Sequence, residues 1–377
     1  MTSIGGAASA GMVDWNLAVA TATRLVRPGP EVSRDEARAV VAELRRHAKA
    51  SEQHVRGFTR MATDDIHDTP ILVVDRPGWV RANVAGFREV LKPLLDKMQE
   101  RRGNTPGGAV FGAVGGKVTG VELGMLLSFL SSRVLGQYET FAPASRELPA
   151  GAKGGRLLLV APNIVHVERE LDVQPHDFRL WVCLHEETHR TQFTSVPWLR
   201  DHLEGEIQSF LGETEVDPMT VLERIREAAQ SLAGGRPEGE EDDNDGRSLV
   251  EIVQTPAQRE ILGRLTAVMS LLEGHADFVM DGVGPDVVPS VAEIREKFQQ
   301  RRAKGASRLD SALRKLLGLD AKLRQYRDGE RFVRAVVDEV GMDGFNRVWT
   351  SPNTLPTKTE IAKPADWVAR VHRKAES

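Results

Sequence analysis

A mainly α-helical α+β protein with a small sheet is the fold class that the sequence predicts, and three observations predict it. Most of the chain carries apolar residues at spacings of three and four, the repeat of an amphipathic helix. Two short apolar runs, Ile71 to Val74 and Leu157 to Ala161, are bounded by turn residues and read as strands. The composition, 41% hydrophobic and 28% charged over 377 residues, suffices to bury a substantial core as one large domain or two.

Residues 14–26 place Leu17, Ala18, Val19, Ala22 and Leu25 along one side of a short helix, which Pro28 and Pro30 end. Ser33-Arg34-Asp35-Glu36 has the form of a capping box and opens a charged helix to about Met61. After the strand at 71–74, Asp75-Arg76-Pro77-Gly78 is a break, and Trp79 to Arg101 resumes helical spacing. Gly108, Gly112, Gly116, Gly120, Gly124, Ser128, Ser132 and Gly136 then recur every four residues. They lay a ridge of small residues along a helix, where another backbone can approach closely. Lys117, Glu122 and Arg133 interrupt the apolar run and leave no span of about 18 apolar residues, so the expected helix is a core helix of a soluble protein. Gly115-Gly116-Lys117-Val118 fails as a phosphate loop, because Phe111 holds the first Gly position and Val118 the Ser/Thr position.

Leu157 to Ala161 is the strongest strand of the sequence. Pro175 suits the first turn of a helix running to about Thr194, where Ser195-Val196-Pro197 ends it. Gly234 to Gly246 is acidic without an apolar anchor and is expected to be a disordered loop. It fails as a calcium loop, since Glu241 replaces the first Asp and Ile252 stands where the bidentate Glu belongs. Leu262, Leu265, Met269, Leu272, Ala276 and Met280 trace one stripe of a further helix. Residues 290–327 read as a solvated pair of basic amphipathic helices, and the tail from Phe345 to Val371 as irregular cover with a final short helix.

The net charge is −4 with both signs mixed along the chain, which gives no footprint for nucleic acid or an anionic membrane. The single Cys183 excludes an intrachain disulfide and fits a reducing compartment. The first twelve residues contain no Lys or Arg and lead into no apolar run of signal-peptide kind, so a cytoplasmic location is expected.

The chemistry concentrates in Trp181-Val182-Cys183-Leu184-His185-Glu186-Glu187-Thr188-His189. At 3.6 residues per turn His185 and His189 share one helix face, and both imidazoles can reach one metal ion. Glu186 can sit beside the open position of a tetrahedral zinc and take a proton from water there. A third protein ligand is needed, and Glu273 in Leu272-Glu273-Gly274-His275-Ala276-Asp277 fits. Asp277, one turn on, is placed to accept the free ring N–H of a ligand histidine. Cys183 faces another side of the helix and is a core residue rather than a ligand.

Together with these motifs, Val74-Asp75-Arg76-Pro77-Gly78-Trp79-Val80-Arg81-Ala82-Asn83, Ala161-Pro162-Asn163-Ile164, Phe178-Arg179-Leu180-Trp181, Arg190-Thr191-Gln192-Phe193 and Asn346-Arg347-Val348-Trp349 carry a resemblance. The chain resembles, over about Asp14 to Val371, an actinobacterial family of zincin-like hydrolases or zinc-dependent metalloproteases, sometimes labelled as associated with deazaflavin-coenzyme biosynthesis. The resemblance implies a helical zincin-like fold and the metal site, and says little about substrate. It also implies that the strand at 157–161 runs as an edge strand along a substrate cleft. The expected organisation is an N-terminal helical layer over 1–145, a zincin-like metal-binding core over 146–285 and a C-terminal helical cover over 286–377, in one compact unit.

Two readings of different class follow. In one, His185, His189 and Glu273 hold zinc, Glu186 is general base and then acid, and a peptide or small amide is hydrolysed. In the other, a binding or scaffolding protein retains a structural zinc site. An intact Glu186 favours the first, since a structural site has no use for a base beside an open position. Candidates for an oxyanion donor are Tyr138 and His275, with Tyr326 and His166 behind them.

Overall fold

The structure, a computed structural model, describes residues 12–61, 69–102, 108–142, 155–212, 256–304 and 319–372. The acidic stretch at 234–246 lies outside the described residues. Asp14 accepts from the Leu17 amide at 2.9 Å and starts α1 (Trp15–Leu25). Ser33 likewise accepts from Glu36 N at 3.1 Å to start α2 (Arg34–Thr59). The Glu36 carboxylate accepts from Arg169 rather than turning back to close the expected box.

After β1 (Ile71–Val74), α3 (Arg76–Arg102) begins at once, because Asp75 accepts from Gly78 N at 2.7 Å; the expected break is the cap of this helix. In α4 (Gly108–Ser131) the small-residue ridge is the seat of α1. A Cβ at Gly120 would lie 2.6 Å from the Asp14 carbonyl oxygen, and one at Gly124 would lie 2.7 Å from that of Ala18. Among the described residues no helix is long and apolar enough to cross a membrane.

The sheet contains β1, β2 (Gly136–Glu139) and β3 (Arg156–Val160) in the order β1-β3-β2. β1 runs parallel to β3, with Ile71 opposite Leu157, and β2 runs antiparallel to it, with Tyr138 opposite Leu157. The strand expected at an edge is therefore the central one: both its neighbours are present, and Leu157 to Val160 are fully buried. The strand beside the metal helix with an outer edge is β2, which in sequence continues the glycine ridge. Pro162 turns the chain directly into α5 (Ala161–Leu171), a helix absent from the sequence reading. There Asn163 donates to the carbonyls of Ser131 (2.7 Å) and Val134 (2.6 Å) and accepts from Arg76 Nε (2.7 Å), tying α3, α4 and α5 at one point.

The helix that carries His185 and His189 is α6 (Pro175–Ser195), with Pro175 in its first turn as expected. It is followed by α7 (Pro197–Gly212), α8 (Pro256–Gly282), α9 (Val291–Lys304) and α10 (Leu319–Phe345), the last broken at Gly341 (φ 72°). Two 3-10 turns and the short helices α11 (Lys358–Ala362) and α12 (Pro364–His372) cover the end. One core packs Leu44, Ala48 and Val55 of α2 and Leu159 of β3 against Phe178, Trp181, Val182 and Leu184 of α6. A second packs Val268, Leu271 and Leu272 of α8 against Phe332, Phe345, Trp349 and Trp367. Between these cores α6 and α8 lie side by side.

Candidate metal centre

α6 is buried along most of its length, and His185 and His189, both partly accessible, lie on the face toward α8. Donor atoms of His185, His189 and Glu273 all lie within 4.8 Å of one another. His185 Nε2 is 3.8 Å from Glu273 Oε2, and His189 Nε2 is 3.7 Å from Glu273 Oε1. The two rings stand nearly perpendicular, 4.8 Å apart. Two helices far apart in sequence thus converge the two His and one carboxylate that the motif spacing singled out.

The donor set fits a cation. Burial would lower the His185 pKa, yet Glu186, Glu273 and Asp277 around it push it up to about 9. Glu273 and Asp277 flank its Nε2 and Glu186 its Nδ1, so the ring lies among three carboxylates, a charge that a divalent metal would offset more fully than one proton. Nitrogen and carboxylate donors in this number suit zinc.

Gln192, which the sequence reading did not single out, fixes the geometry of His189. Its amide nitrogen donates to the Leu272 carbonyl at 2.9 Å, and a carbonyl can only accept, so the orientation of the amide is determined. Its Oε1 is then an acceptor 3.0 Å from His189 Nδ1. His189 accordingly carries its proton on Nδ1 and presents the Nε2 lone pair to the metal position. Gln192 stands three residues beyond His189, close to one helical turn, and that spacing was the available signal. Gln192→Met should keep the fold and weaken zinc about 10–100-fold, as measured by competition with a chromophoric chelator.

Asp277 stands elsewhere than expected. It is one turn from Glu273 on the same face of α8, so it flanks the same nitrogen: Oδ1 lies 3.6 Å from His185 Nε2, rather than behind the ring. Glu186 occupies the other side, with Oε1 3.5 Å from His185 Nδ1. The Glu186 side chain runs along the backbone of β2, where a Cβ at Gly136 would lie 2.5 Å from its Cγ. That glycine is a requirement of the close approach of helix and strand.

The candidate oxyanion donors are held by other contacts. Tyr138 stacks on Phe193 at 5.4 Å, its hydroxyl occupies the space beside Gly155, and burial pushes its pKa up to about 12. His275 is fully buried against Phe345 and Trp349. Its Nδ1 accepts from Gln192 at 3.0 Å, and burial, with His189 adding to it, pushes its pKa down to about 3. It is a neutral ring that supports Gln192. His166 is exposed on α5 near Glu170, and the Tyr326 side chain lies outside the described residues. Cys183 is buried with its Sγ toward the Leu44 carbonyl, as a core residue should be.

A family model of zincin-like metallopeptidases matches residues 13–368. The crystal structure of a protein from Chloroflexus aurantiacus, described as a candidate hydrolase with a novel fold, is similar to this chain. The identity is 29%, the TM-score is 0.64, and the match covers 96% of this chain and 99% of that one. No curated protein matches the chain. With a family match spanning nearly all of its length and a His-Glu-x-x-His helix facing a carboxylate as third donor, the chain belongs to the zincin-like metallopeptidase family.

Proposed function

We propose that this protein is a zinc-dependent hydrolase of gluzincin type that cleaves short peptides. The observation that carries the reading is the convergence of His185, His189 and Glu273 as three donors of zinc type, with Glu186 next to His185 and against β2. His185, His189 and Glu273 hold the ion. When bound, zinc supplies Lewis acidity, which polarises a carbonyl and makes water a stronger acid. Glu186 takes the proton from the attacking water and returns it to the departing amine, as a carboxylate fixed between a ring and a backbone can do. Gln192 and the neighbouring Leu272 carbonyl keep His189 in the tautomer that binds.

Two features support peptides as substrates. Among the described residues no strand pairs with the outer edge of β2, so an extended chain could add there and bring its carbonyl past Glu186. The site is also recessed: Glu186 is buried and the accessible fractions of His185 and His189 are 18% and 12%. A recessed site admits an unfolded segment more readily than a folded protein surface.

Zinc-loaded protein incubated with a diverse peptide library and read by mass spectrometry should cleave peptides and leave folded proteins intact. The same protein stripped by chelator, and His189→Ala, should cleave neither. Absence of cleavage at full zinc occupancy would move the assignment to the amide-hydrolase or binding-protein reading.

A further inference from the structure

The N-terminal end of α6 meets α2 in a second group of ligand type. Glu43 and His47 are one turn apart on α2, and His176 stands in the first turn of α6. Glu43 Oε1 is 3.4 Å from His47 Nε2 and 3.0 Å from His176 Nδ1, and the donor atoms of all three residues lie within 4.8 Å of one another. The rings are edge to face with centroids 4.6 Å apart. His47 is only 7% exposed, and its Nε2, aimed into this group, makes no well-formed hydrogen bond: Glu43 Oε1 approaches it only at a long 3.4 Å. A buried ring nitrogen left unpaired is costly unless something else binds it.

The charge balance favours a cation. Arg179 is bound by Glu168 through two hydrogen bonds, one of them Nε to Oε2 at 2.9 Å, so its charge is already matched. Arg179 also donates to Glu43 Oε2, which turns Oε1 of that carboxylate between the two imidazoles. An outer partner that orients a ligand in this way is a regular part of metal sites. The partial positive charge at the start of α6 opposes a cation, but by less than the full charge of Glu43 favours it.

We propose that Glu43, His47 and His176 form a second, weaker site for a nitrogen-preferring divalent transition metal such as zinc, which clamps α2 to the start of the catalytic helix. Two imidazoles and one carboxylate select such ions over calcium or magnesium. His176 precedes His185 by nine residues, about 13 Å along the helix axis and half a turn round it, so the two sites are separate and on opposite faces of α6. The exposed His176, whose side chain is 61% accessible, leaves the remaining coordination positions to water. The proposed role is structural, with metal holding the register of α6 against α2 rather than reacting with substrate.

Full-length protein stripped by chelator and titrated with zinc against a chromophoric competitor should bind two equivalents, one tight and one weaker. His176→Ala, and separately the shape-conserving Glu43→Gln, should lose the weaker equivalent and keep the tighter. His189→Ala should lose the tighter and keep the weaker, and zinc should still raise its Tm. A single equivalent in the wild type at saturating zinc overturns the proposal, as does a second equivalent that persists in both His176→Ala and Glu43→Gln.

Discussion

Glu186→Gln should retain zinc and fold while peptide hydrolysis falls about 10²–10⁴-fold, the range a positioned general base contributes. The amide has the shape of the carboxylate and fits the same slot between His185 and the Gly136 backbone, so packing is kept. What is lost is the ability to accept a proton. Metal content by elemental analysis and far-UV circular dichroism establish that the variant is loaded and folded; turnover per zinc then isolates the chemistry. Equal turnover in the variant would remove Glu186 from the mechanism.

Gly274→Ala is the second large effect, and it acts through the backbone beside a ligand. α8 and α10 touch at this residue: an added Cβ would lie 2.1 Å from the Gly329 carbonyl carbon and 2.4 Å from Glu330 N. At Gly329 a Cβ would lie 2.0 Å from the Ser270 carbonyl oxygen. Neither partner is a flexible side chain, so the helices must separate, at a cost of about 1–3 kcal/mol or more. Glu273 adjoins the displaced residue, and zinc affinity should fall together with stability. Chemical denaturation and chelator competition on the same preparation measure the two losses; unchanged values for both would mean that the crossing yields without moving α8.

The convergence of His185, His189 and Glu273 was legible in the sequence because helical spacing is local. His185 and His189 share a face at any place in the fold, and a carboxylate among Leu271, Leu272 and Ala276 marks Glu273 as unusual. The partners of those ligands were less legible, since each is a contact between elements. Spacing alone puts Asp277 at the free ring nitrogen of a histidine, whereas the approach of α8 onto α6 brings it to the Nε2 of His185 that Glu273 also flanks. Gln192 matters only because Leu272 and His275 come opposite it, 80 and 83 residues away in sequence. β2 was hidden because Gly136 continues a four-residue period, and nothing local says that the helix stops at Ser131. β3 was found within one residue, but whether a strand is central or at an edge depends on which strands reach it.

In the proposed site α6 supplies two donors and α8 the third, so the donors come together only when the two helices are docked. Zinc binding there would make folding and metal uptake linked equilibria, with zinc as a reactant that favours the native side. Free zinc at 100 times the dissociation constant adds about 2.7 kcal/mol, a sizeable share of the 5–15 kcal/mol that holds a typical domain together. The lifetime of the chain among proteases would thus track the zinc supply around it: starvation would lower catalytic capacity and protein abundance together, and replenishment would restore both.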